Sequence, residues 1–260
     1  MGEVASETEQ LPRVSLVMAL YNQRAFVTEA LDSILKQTFT DWELVIWDDG
    51  STDGSDEIAR SYAQRDPRIR YERSENRGMY FALASSIPLT SGPLIGWVDS
   101  DDRIRPTCLE KTVGLLDARP DVGMVYTDHQ MYDEQGRDLG LGQRCSIPYS
   151  ANRLLRDFMT FHFRLIRREV FERAGGIDTS FAFAEDYDLC MRISEIATIE
   201  HLAEVLYDYR VHTRSMSQAT RLLQIEGSAT AVRRALRRRG LEDQYDLTVE
   251  LIPRFHIRKR

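Results

Sequence analysis

The chain has 260 residues, which is enough for one large domain or for one domain with a small appendage. Its net charge of −7 argues against a nucleic-acid partner, whereas an anionic ligand stays compatible because a bound metal ion supplies positive charge. The three cysteines have no metal-ligand spacing, and the polar, acidic N-terminus does not look like a secretory signal. Because no run of about 18 apolar residues occurs either, we expect a cytoplasmic protein without a membrane span.

Strands and helices alternate in the first half of the sequence. Short apolar, β-rich runs predict buried strands, and they cover residues 14–22, the beginning of 42–55, 69–73, 93–98 and 122–128. Helix-favouring segments lie between most of these runs. The alternation predicts an α/β fold with a mostly parallel central sheet flanked by helices, in which ligands bind beyond the carboxyl ends of the strands.

The alternation weakens after residue 130. Helices are predicted for residues 167–178 and 184–197, and a strand for 206–218. Residues 219–260 form a basic tail, in which the segment AVRRALRRRG places Arg side chains around a small apolar stripe. We expect a solvated helix that covers part of the core. The alternative is a surface for anionic lipid headgroups, which would give peripheral membrane association.

Three carboxylates follow the predicted strand 93–98 within four residues, in the segment GWVDSDD. Asp99, Asp101 and Asp102 repel one another wherever solvent is excluded, and Mg²⁺ and Mn²⁺ prefer oxygen ligands of this kind. The segment therefore favours a site for a divalent cation. The alternative is an Asx-turn with solvated acids.

A second acidic segment, WDDGSTDGS, follows the strand that begins at residue 42. Asp49 comes after a strand and before a helix, so its carboxylate is placed to accept the N3–H of a uracil or to bond a ribose hydroxyl. The alternative is helix capping. A phosphate-binding loop is excluded, because the Gly-rich spacing and the Lys are missing.

Two downstream segments also carry chemistry-bearing residues. In FAEDYDL, Glu185 and Asp186 open a helix, where they either complement the helix dipole or act as a catalytic pair with a general base. In YRVHTRSMS, His212 and Arg214 share a loop with two serines, a combination that is able to bind a diphosphate or to complete a metal shell.

Taken together, seven ordered segments carry a resemblance to a known family. They are VSLVMALYNQ, VIWDDGSTDGS, NRG, GWVDSDD, GGID, FAEDYDLCMR and YRVHTRSMS, and they resemble the family 2 glycosyltransferases over roughly residues 12–218. The resemblance implies a GT-A fold with a nucleotide-sugar-binding half, 12–128, and an acceptor-binding half, 129–218, before the basic helical extension 219–260. It also implies inverting transfer from a nucleotide sugar, with UDP favoured, to an acceptor hydroxyl, assisted by Mn²⁺ or Mg²⁺.

The same resemblance implies roles on the donor side. Ala19 and Tyr21 would line the nucleobase site, and Asp49 would bond the base. The family often has an Ala-Arg-Asn-like segment after NRG, which this chain lacks. Arg77 would substitute for its donor contacts.

The resemblance implies further roles at the reacting bond. Asp101 would be the main metal ligand, and Asp99 would contact the ribose or a metal-bound water. His212 would touch the metal or the diphosphate, with Arg214 beside it. Asp186, preceded by Glu185, would be the general base that takes the acceptor proton.

Two alternatives stay open, namely a non-catalytic nucleotide-sugar or glycan-binding module of the same fold and a nucleotidyltransferase. The joint presence of Asp99, Asp101, Glu185 and Asp186 argues against the first, since a non-catalytic site is free to lose its base. The lack of glycine in ALYNQRAF argues against the second. Glycan, lipid-linked, small-molecule and protein acceptors all fit the sequence, and no motif indicates the oligomeric state.

Overall fold

A computed structural model describes residues 11–181, 183–212 and 221–250, and within them the chain folds around one nine-stranded sheet. The first half of the sheet is parallel, and its strands are β1 Val14–Leu20, β2 Trp42–Asp48, β3 Ile69–Arg73 and β4 Leu94–Trp97. The helices between them are α1 Val27–Leu35, α2 Ser55–Ala63 and α3 Met79–Ser86. These elements confirm the strand–helix alternation predicted for this part of the sequence.

The second half adds five strands, which are β5 Arg103–Ile104, β6 Val122–Asp133, β7 Asp138–Leu141, β8 Arg164–Arg167 and β9 Thr198–Val211. The two long strands, β6 and β9, are parallel to each other, and the three short strands pair in an antiparallel manner. The helices are α4 Cys108–Ala118, α5 Arg168–Arg173, α6 Glu185–Ser194 and α7 Arg221–Arg238, with short 3₁₀ turns at Ile87–Leu89, Gln143–Ser146 and Arg153–Leu155.

The strand order explains why distant segments meet at one edge of the sheet. It runs β3-β2-β1-β4-β8-β6-β9-β5, with β7 paired to β6. Strand β8 is antiparallel to both of its neighbours, so β6 points in the same direction as β4, and β9 is parallel to β6. The carboxyl ends of β1, β2, β4, β6 and β9 therefore share one side of the sheet, where a ligand is expected to bind.

Several strands of the second half differ from the sequence-based prediction. Strand β9 begins at Thr198 rather than at residue 206, and β6 continues to Asp133 rather than ending at 128. Strands β5, β7 and β8 were not predicted. The early part of β9, TIEHLAEV, has one buried position, Ile199, among exposed and half-buried ones, so it lacks the apolar run that marks a buried strand. Residues 213–218 of the predicted strand lie outside the described residues.

Alternate residues of the parallel strands face two separate apolar layers, as the two-residue period of a strand requires. Leu16 and Ile46 pack with α1 and α4 on one face of the sheet. Val17, Val45 and Ile95 pack with α3, α6 and α7 on the other face. Within the described part of the chain, no helix is both long and apolar enough for a membrane span.

Part of the basic tail, Arg221–Arg238, forms the helix α7, which is attached closely to the rest of the fold. Ala231 and Ala235 are fully buried in the apolar layer that also contains α6. Near its start, a side chain at Gly227 would lie only 2.2 Å from the carbonyl oxygen of Phe183. Glycine is therefore the residue that allows this close approach between α7 and the segment before α6.

Candidate active site

A cleft with a volume of about 790 Å³ opens beyond the carboxyl ends of the strands. One end of it is lined by residues after β1 and β2 and by the start of α3. The other end is lined by β6, the segment 143–164 and Tyr209 of β9, and the acids of β4 and α6 lie between the two. Ser228 and Gln224 of α7 complete its wall.

The cleft contains most of the residues that the sequence analysis selected. Those that line it are Ala19, Tyr21, Asp49, Asp99, Asp101, Glu185 and Asp186. His212 does not line it directly, but its Nε2 lies 2.8 Å from Oδ2 of Asp101. Arg214 lies outside the described residues.

Asp49 holds the loop at one end of the cleft. It is 2% exposed, and its two carboxylate oxygens accept hydrogen bonds from the backbone N–H groups of Arg77 (2.8 Å) and Gly78 (2.7 Å). Gly78 has a φ of 97°, in the region that favours glycine, which allows the loop to turn into α3. Asp49 thus fixes the backbone that forms the cleft wall, in addition to facing the cleft itself.

The side chain of Arg77 points away from this wall. It is exposed, and its guanidinium carbon lies 3.7 Å from the centroid of the Phe81 ring. Arg77 is not among the residues that line the cleft. Its backbone N–H, bound to Asp49, is the part of Arg77 that contributes to the site in this conformation.

The acids after β4 have different environments. Asp102 is 1% exposed, and its carboxylate accepts hydrogen bonds from the Tyr207 hydroxyl (2.8 Å) and the Arg210 backbone N–H (2.7 Å). Because both of its oxygens are engaged with β9, Asp102 ties β9 to the acidic segment. Asp99 and Asp101 are more exposed and line the cleft.

Two neighbouring groups of side chains have the composition of a cation site. His212 Nε2 and Asp101 Oδ2 form the first group and lie at hydrogen-bond distance, 2.8 Å apart. Asp99, Asp102 and His162 form the second group, with ligand atoms all within 4.8 Å of one another. Both groups combine carboxylate and imidazole donors, so either is chemically suited to a divalent metal ion.

Burial and neighbouring charges shift the pKa values of Asp99 and His162. Burial, and then the charge of Asp101, raise the pKa of Asp99 to about 7. Burial, and then the Arg164 guanidinium, lower the pKa of His162 well below its ordinary value, which favours a neutral imidazole. A bound cation would favour the ionised carboxylates and the neutral ring, which are the forms that bind metals.

Asp186 faces the cleft from the first turn of α6, and a buried arginine fixes its carboxylate. Nη1 and Nη2 of Arg164 both lie 3.1 Å from its Oδ2, and its Oδ1 accepts the Tyr187 backbone N–H at 2.8 Å. Arg164 itself is 2% exposed and lies over the Trp97 ring, 4.8 Å from its centroid. The position of Asp186 is therefore set by β8, a strand that the sequence pattern did not reveal.

Glu185 has a different environment from its neighbour Asp186. It is 2% exposed, it hydrogen-bonds with the Tyr80 side chain, and its buried Oε2 has no hydrogen-bond partner among the described residues. Burial, and then the charge of Asp186, raise the pKa of Glu185 well above its ordinary value. Of the two acids, Asp186 is the more accessible proton acceptor.

The sequence analysis missed several residues of the site. Arg164 and His162 come from the segment before and within β8, Tyr207 from β9, and Gln224 and Ser228 from α7. One signal was available, because a buried strand with an Arg in it requires a charged partner elsewhere in the fold. The others depend on long-range pairing that no local period encodes.

Comparison with known protein families matches residues 15–175, more than half of the chain, to the family described as Glycosyl transferase family 2. The chain belongs to this family. The match ends before α6, so Asp186 and His212 lie outside the matched residues. Membership in the family confirms the identification made from the ordered segments.

Two relatives are polysaccharide synthases by name. Chondroitin synthase of Escherichia coli is 29% identical over 234 residues, which cover 90% of this chain and 34% of the synthase. Hyaluronan synthase of Pasteurella multocida is 26% identical over 245 residues, which cover 93% of this chain and 25% of the synthase. The chain thus spans about a third or less of the length of these relatives.

Solved structures of glycosyltransferases share the fold. The mannosyltransferase PcManGT from Pyrobaculum calidifontis, solved with GDP-Man and Mn²⁺, aligns with a TM-score of 0.67 and 23% identity. The alignment covers 88% of this family 2 chain and 65% of the PcManGT chain. TarS of S. aureus (residues 1–349) aligns with a TM-score of 0.66 and 20% identity, and the alignment covers 85% of this chain and 65% of the TarS chain. These alignments confirm the GT-A fold predicted from the sequence.

Proposed function

We propose that this chain transfers a sugar from a nucleotide diphosphate donor to an acceptor hydroxyl, with inversion at the anomeric carbon. The observation that carries the proposal is that Asp49, Asp101 and Asp186, which are distant in the sequence, line one cleft. A donor bound across the strand ends would place its diphosphate between the first two acids and its sugar next to the third. This arrangement suits the hexosyltransferase chemistry of the family.

The donor would occupy the end of the cleft formed by Ala19, Tyr21 and Asp49. Tyr21 is 48% exposed, so its ring is available to a nucleobase, and Asp49 holds the loop that closes this end. UDP is the favoured nucleotide, because TarS has been solved with UDP and with UDP-GlcNAc. PcManGT was solved with GDP-Man, so a GDP-sugar is the donor to compare with a UDP-sugar.

Asp101, Asp99 and His212 would hold a divalent cation, Mn²⁺ or Mg²⁺. Their carboxylate and imidazole donors suit such an ion, and PcManGT was solved with Mn²⁺. When bound, the cation offsets the negative charge that develops on the leaving diphosphate. The buried carboxylate of Asp102 acts on this set indirectly, by fixing the acidic segment to β9.

Asp186 is the general base in this proposal. The acceptor hydroxyl loses its proton to the Asp186 carboxylate as its oxygen attacks the anomeric carbon from the face opposite the diphosphate. The bond to the diphosphate breaks in the same displacement, so the configuration inverts and no covalent enzyme intermediate is needed. Arg164 keeps the carboxylate aimed at the cleft while its guanidinium compensates the charge.

The acceptor would enter from the half of the cleft contributed by residues 129–211, where Phe158, Phe161 and Tyr209 line the wall. A glycan, a lipid-linked sugar, a small molecule or a protein hydroxyl is compatible with this opening. The names of the two synthases favour a role in polysaccharide biosynthesis. We also propose that α7 belongs to the catalytic unit, since Gln224 and Ser228 line the cleft.

A panel of nucleotide sugars tests the proposal. Melting temperatures would be measured with UDP-, GDP- and dTDP-sugars, each with and without Mn²⁺, because a ligand that binds the native state raises its stability. We expect one donor to stabilise the protein in a Mn²⁺-dependent manner and then to be hydrolysed or transferred. Stabilisation without turnover would instead indicate a binding module, and the absence of stabilisation by every donor would contradict the proposal.

A further inference from the structure

Arg144 occupies an unusual position in the acceptor half of the cleft. It lies on the 3₁₀ turn Gln143–Ser146 after β7, and its half-buried side chain lines the cleft. Its guanidinium carbon lies 4.4 Å from the centroid of the Phe161 ring and 4.9 Å from that of Phe158. Burial lowers the pKa of Arg144, but a guanidinium stays charged at any pH at which the protein is folded.

This charge has no acidic partner among the described residues. The Arg144 side chain forms neither a hydrogen bond nor an ion pair there, and its Nη1 is buried without a hydrogen-bond partner. The acid whose charge acts on it most strongly, Asp186, is already bound by both terminal nitrogens of Arg164. A partly buried cation without an acidic partner is costly for the fold, and its position in a cleft suits an anionic ligand.

The neighbouring rings make this part of the cleft suitable for a sugar. Phe161 lies 5.1 Å from the His129 ring and 5.4 Å from the Tyr209 ring, measured between centroids, so the ring against which the guanidinium packs belongs to a larger aromatic wall. Binding sites typically combine such apolar walls with a few polar groups that fix the orientation of the ligand. Arg144 is a charged group in this wall, and its planar donors match a carboxylate or a phosphate.

We propose that the cleft selects an acceptor sugar with an anionic group, a carboxylate or a phosphate, which hydrogen-bonds to Arg144 while the sugar ring lies against Phe158 and Phe161. The inference rests on the proposed function, because it takes residues 129–211 as the acceptor half. It adds the chemical class of the acceptor, which neither the family nor the site acids specify.

Ligand-observed NMR titration tests this preference without requiring turnover. The probes are methyl β-D-glucuronide, methyl β-D-glucoside and methyl β-D-glucoside 6-phosphate, which share a ring and differ in charge. We expect an anionic probe to bind the wild-type protein roughly ten- to hundredfold more tightly than the neutral glucoside. The two anionic probes show whether the group is a carboxylate or a phosphate.

Two variants and a control connect the preference to Arg144. Arg144→Met retains an apolar side chain on the rings and should abolish the preference, whereas Arg144→Lys should retain part of it. Arg137→Met is the control, because this arginine lies next to β7 with a side chain that is 77% exposed, outside the cleft lining. It removes the same charge and should leave the preference intact.

The outcomes separate this inference from the proposed function. The inference is overturned if the wild-type protein binds none of the three sugars or binds all three equally, or if the preference persists in Arg144→Met. Loss of UDP affinity in Arg144→Met would also overturn it, by assigning Arg144 to the nucleotide. Sugar transfer to neutral acceptors alone would leave the transferase proposal standing and remove only the anionic selectivity.

Discussion

Both terminal nitrogens of Arg164 lie 3.1 Å from the same carboxylate oxygen of Asp186. Arg164 is held on β8 under the Trp97 ring, and Asp186 opens α6, so the contact joins the central sheet to the helix that carries the proposed base. The other oxygen of Asp186 is bound by its neighbour's backbone N–H. The base is thus fixed at both oxygens before any acceptor arrives, which favours a reactive geometry.

Replacing Asp186 with asparagine should abolish proton acceptance while preserving the shape of the side chain. General bases contribute about 10²- to 10⁴-fold to rate, so we expect Asp186→Asn to lower kcat by at least that order with nearly unchanged donor affinity. Turnover and UDP binding measured on the same preparation check both halves of the prediction. Normal turnover in this variant would remove Asp186 from the mechanism.

Arg164 should act through Asp186, and a double-mutant cycle separates this role from a structural one. Arg164→Met alone should lower kcat about tenfold or more, with Arg164→Lys intermediate, because the orientation of the carboxylate is lost. In the Asp186→Asn background, however, Arg164→Met should add little, since the group that it positions is already gone. Additive losses in the double variant would show that Arg164 acts independently of the base.

Stability is a necessary control for these Arg164 variants. Breaking one side of a buried ion pair typically costs about 3–5 kcal/mol, because the remaining charge stays buried. Melting temperatures of all four proteins in the cycle would establish that the kinetics refer to folded enzyme.

How much of this site the sequence predicts depends on where each residue lies in the topology. Asp49 and Asp101 follow apolar strands of a parallel sheet, so a local pattern was sufficient to place them at one edge. Arg164 lies in a four-residue strand between two strands that run the opposite way, and its partner is 22 residues further along the chain. Nothing periodic in the sequence encodes such a pairing.

The same distinction applies to the cation site. The sequence indicated that acids cluster after β4. It did not indicate that β9 binds the Asp102 carboxylate, whereas Asp99 and Asp101 line the cleft. Tyr207 and Arg210 bind the Asp102 carboxylate, and His212 follows at the end of the same strand beside Asp101. The register of β9 against β5 therefore sets which of these acids is hydrogen-bonded to β9, and register is a property of the folded sheet.

Glu185 should make the stability of the protein depend on pH. Its pKa is raised in the folded state by burial and by Asp186, so folding favours the neutral acid. The associated stability is fully present below the unfolded value of about 4.5 and is lost as the pH rises toward the folded pKa. Glu185→Gln mimics the neutral form, and it should therefore become more stable than the wild type as the pH rises above 5.

Thermal unfolding at several pH values checks the sign of this effect. Each unit of pKa shift corresponds to about 1.4 kcal/mol, and about 2–4 °C in Tm follows from each kcal/mol in a chain of this size. The matched control is Glu172→Gln, which changes an exposed acid on α5. A Tm difference between Glu185→Gln and the wild type that stays constant from pH 5 to pH 8 would contradict the prediction.

Removal of the cation or of its imidazole ligand should suppress transfer. We expect a chelator to abolish activity and Mn²⁺ or Mg²⁺ to restore it, because the leaving diphosphate then regains its counter-charge. His212→Gln should raise the Mn²⁺ concentration for half-maximal activity at least tenfold, since it removes a proposed ligand of the metal.

A second histidine provides the control for the metal site. His201 also lies 2.8 Å from an aspartate, Asp128, but it does not line the cleft. His201→Gln should leave the Mn²⁺ dependence unchanged, as measured by Mn²⁺ titration of transfer and by direct Mn²⁺ binding. Full activity in chelator, or equal effects of the two histidine substitutions, would argue against the assigned ligands.

The packing of α7 on the segment before α6 should be required for catalysis. In Gly227→Ala the new methyl group would meet the Phe183 carbonyl oxygen at 2.2 Å, so α7 or residues 183–184 must shift. The proposed base, Asp186, lies two residues after Ala184. We expect about 1–3 kcal/mol of lost stability and a lower kcat. Gly114→Ala is the control, because a methyl group there has nothing within 4 Å and lies inside α4, where alanine should stabilise the helix by about 0.5–1 kcal/mol. If Gly227→Ala retained wild-type kcat and Tm, α7 would be a cover of the core and not a part of the catalytic unit.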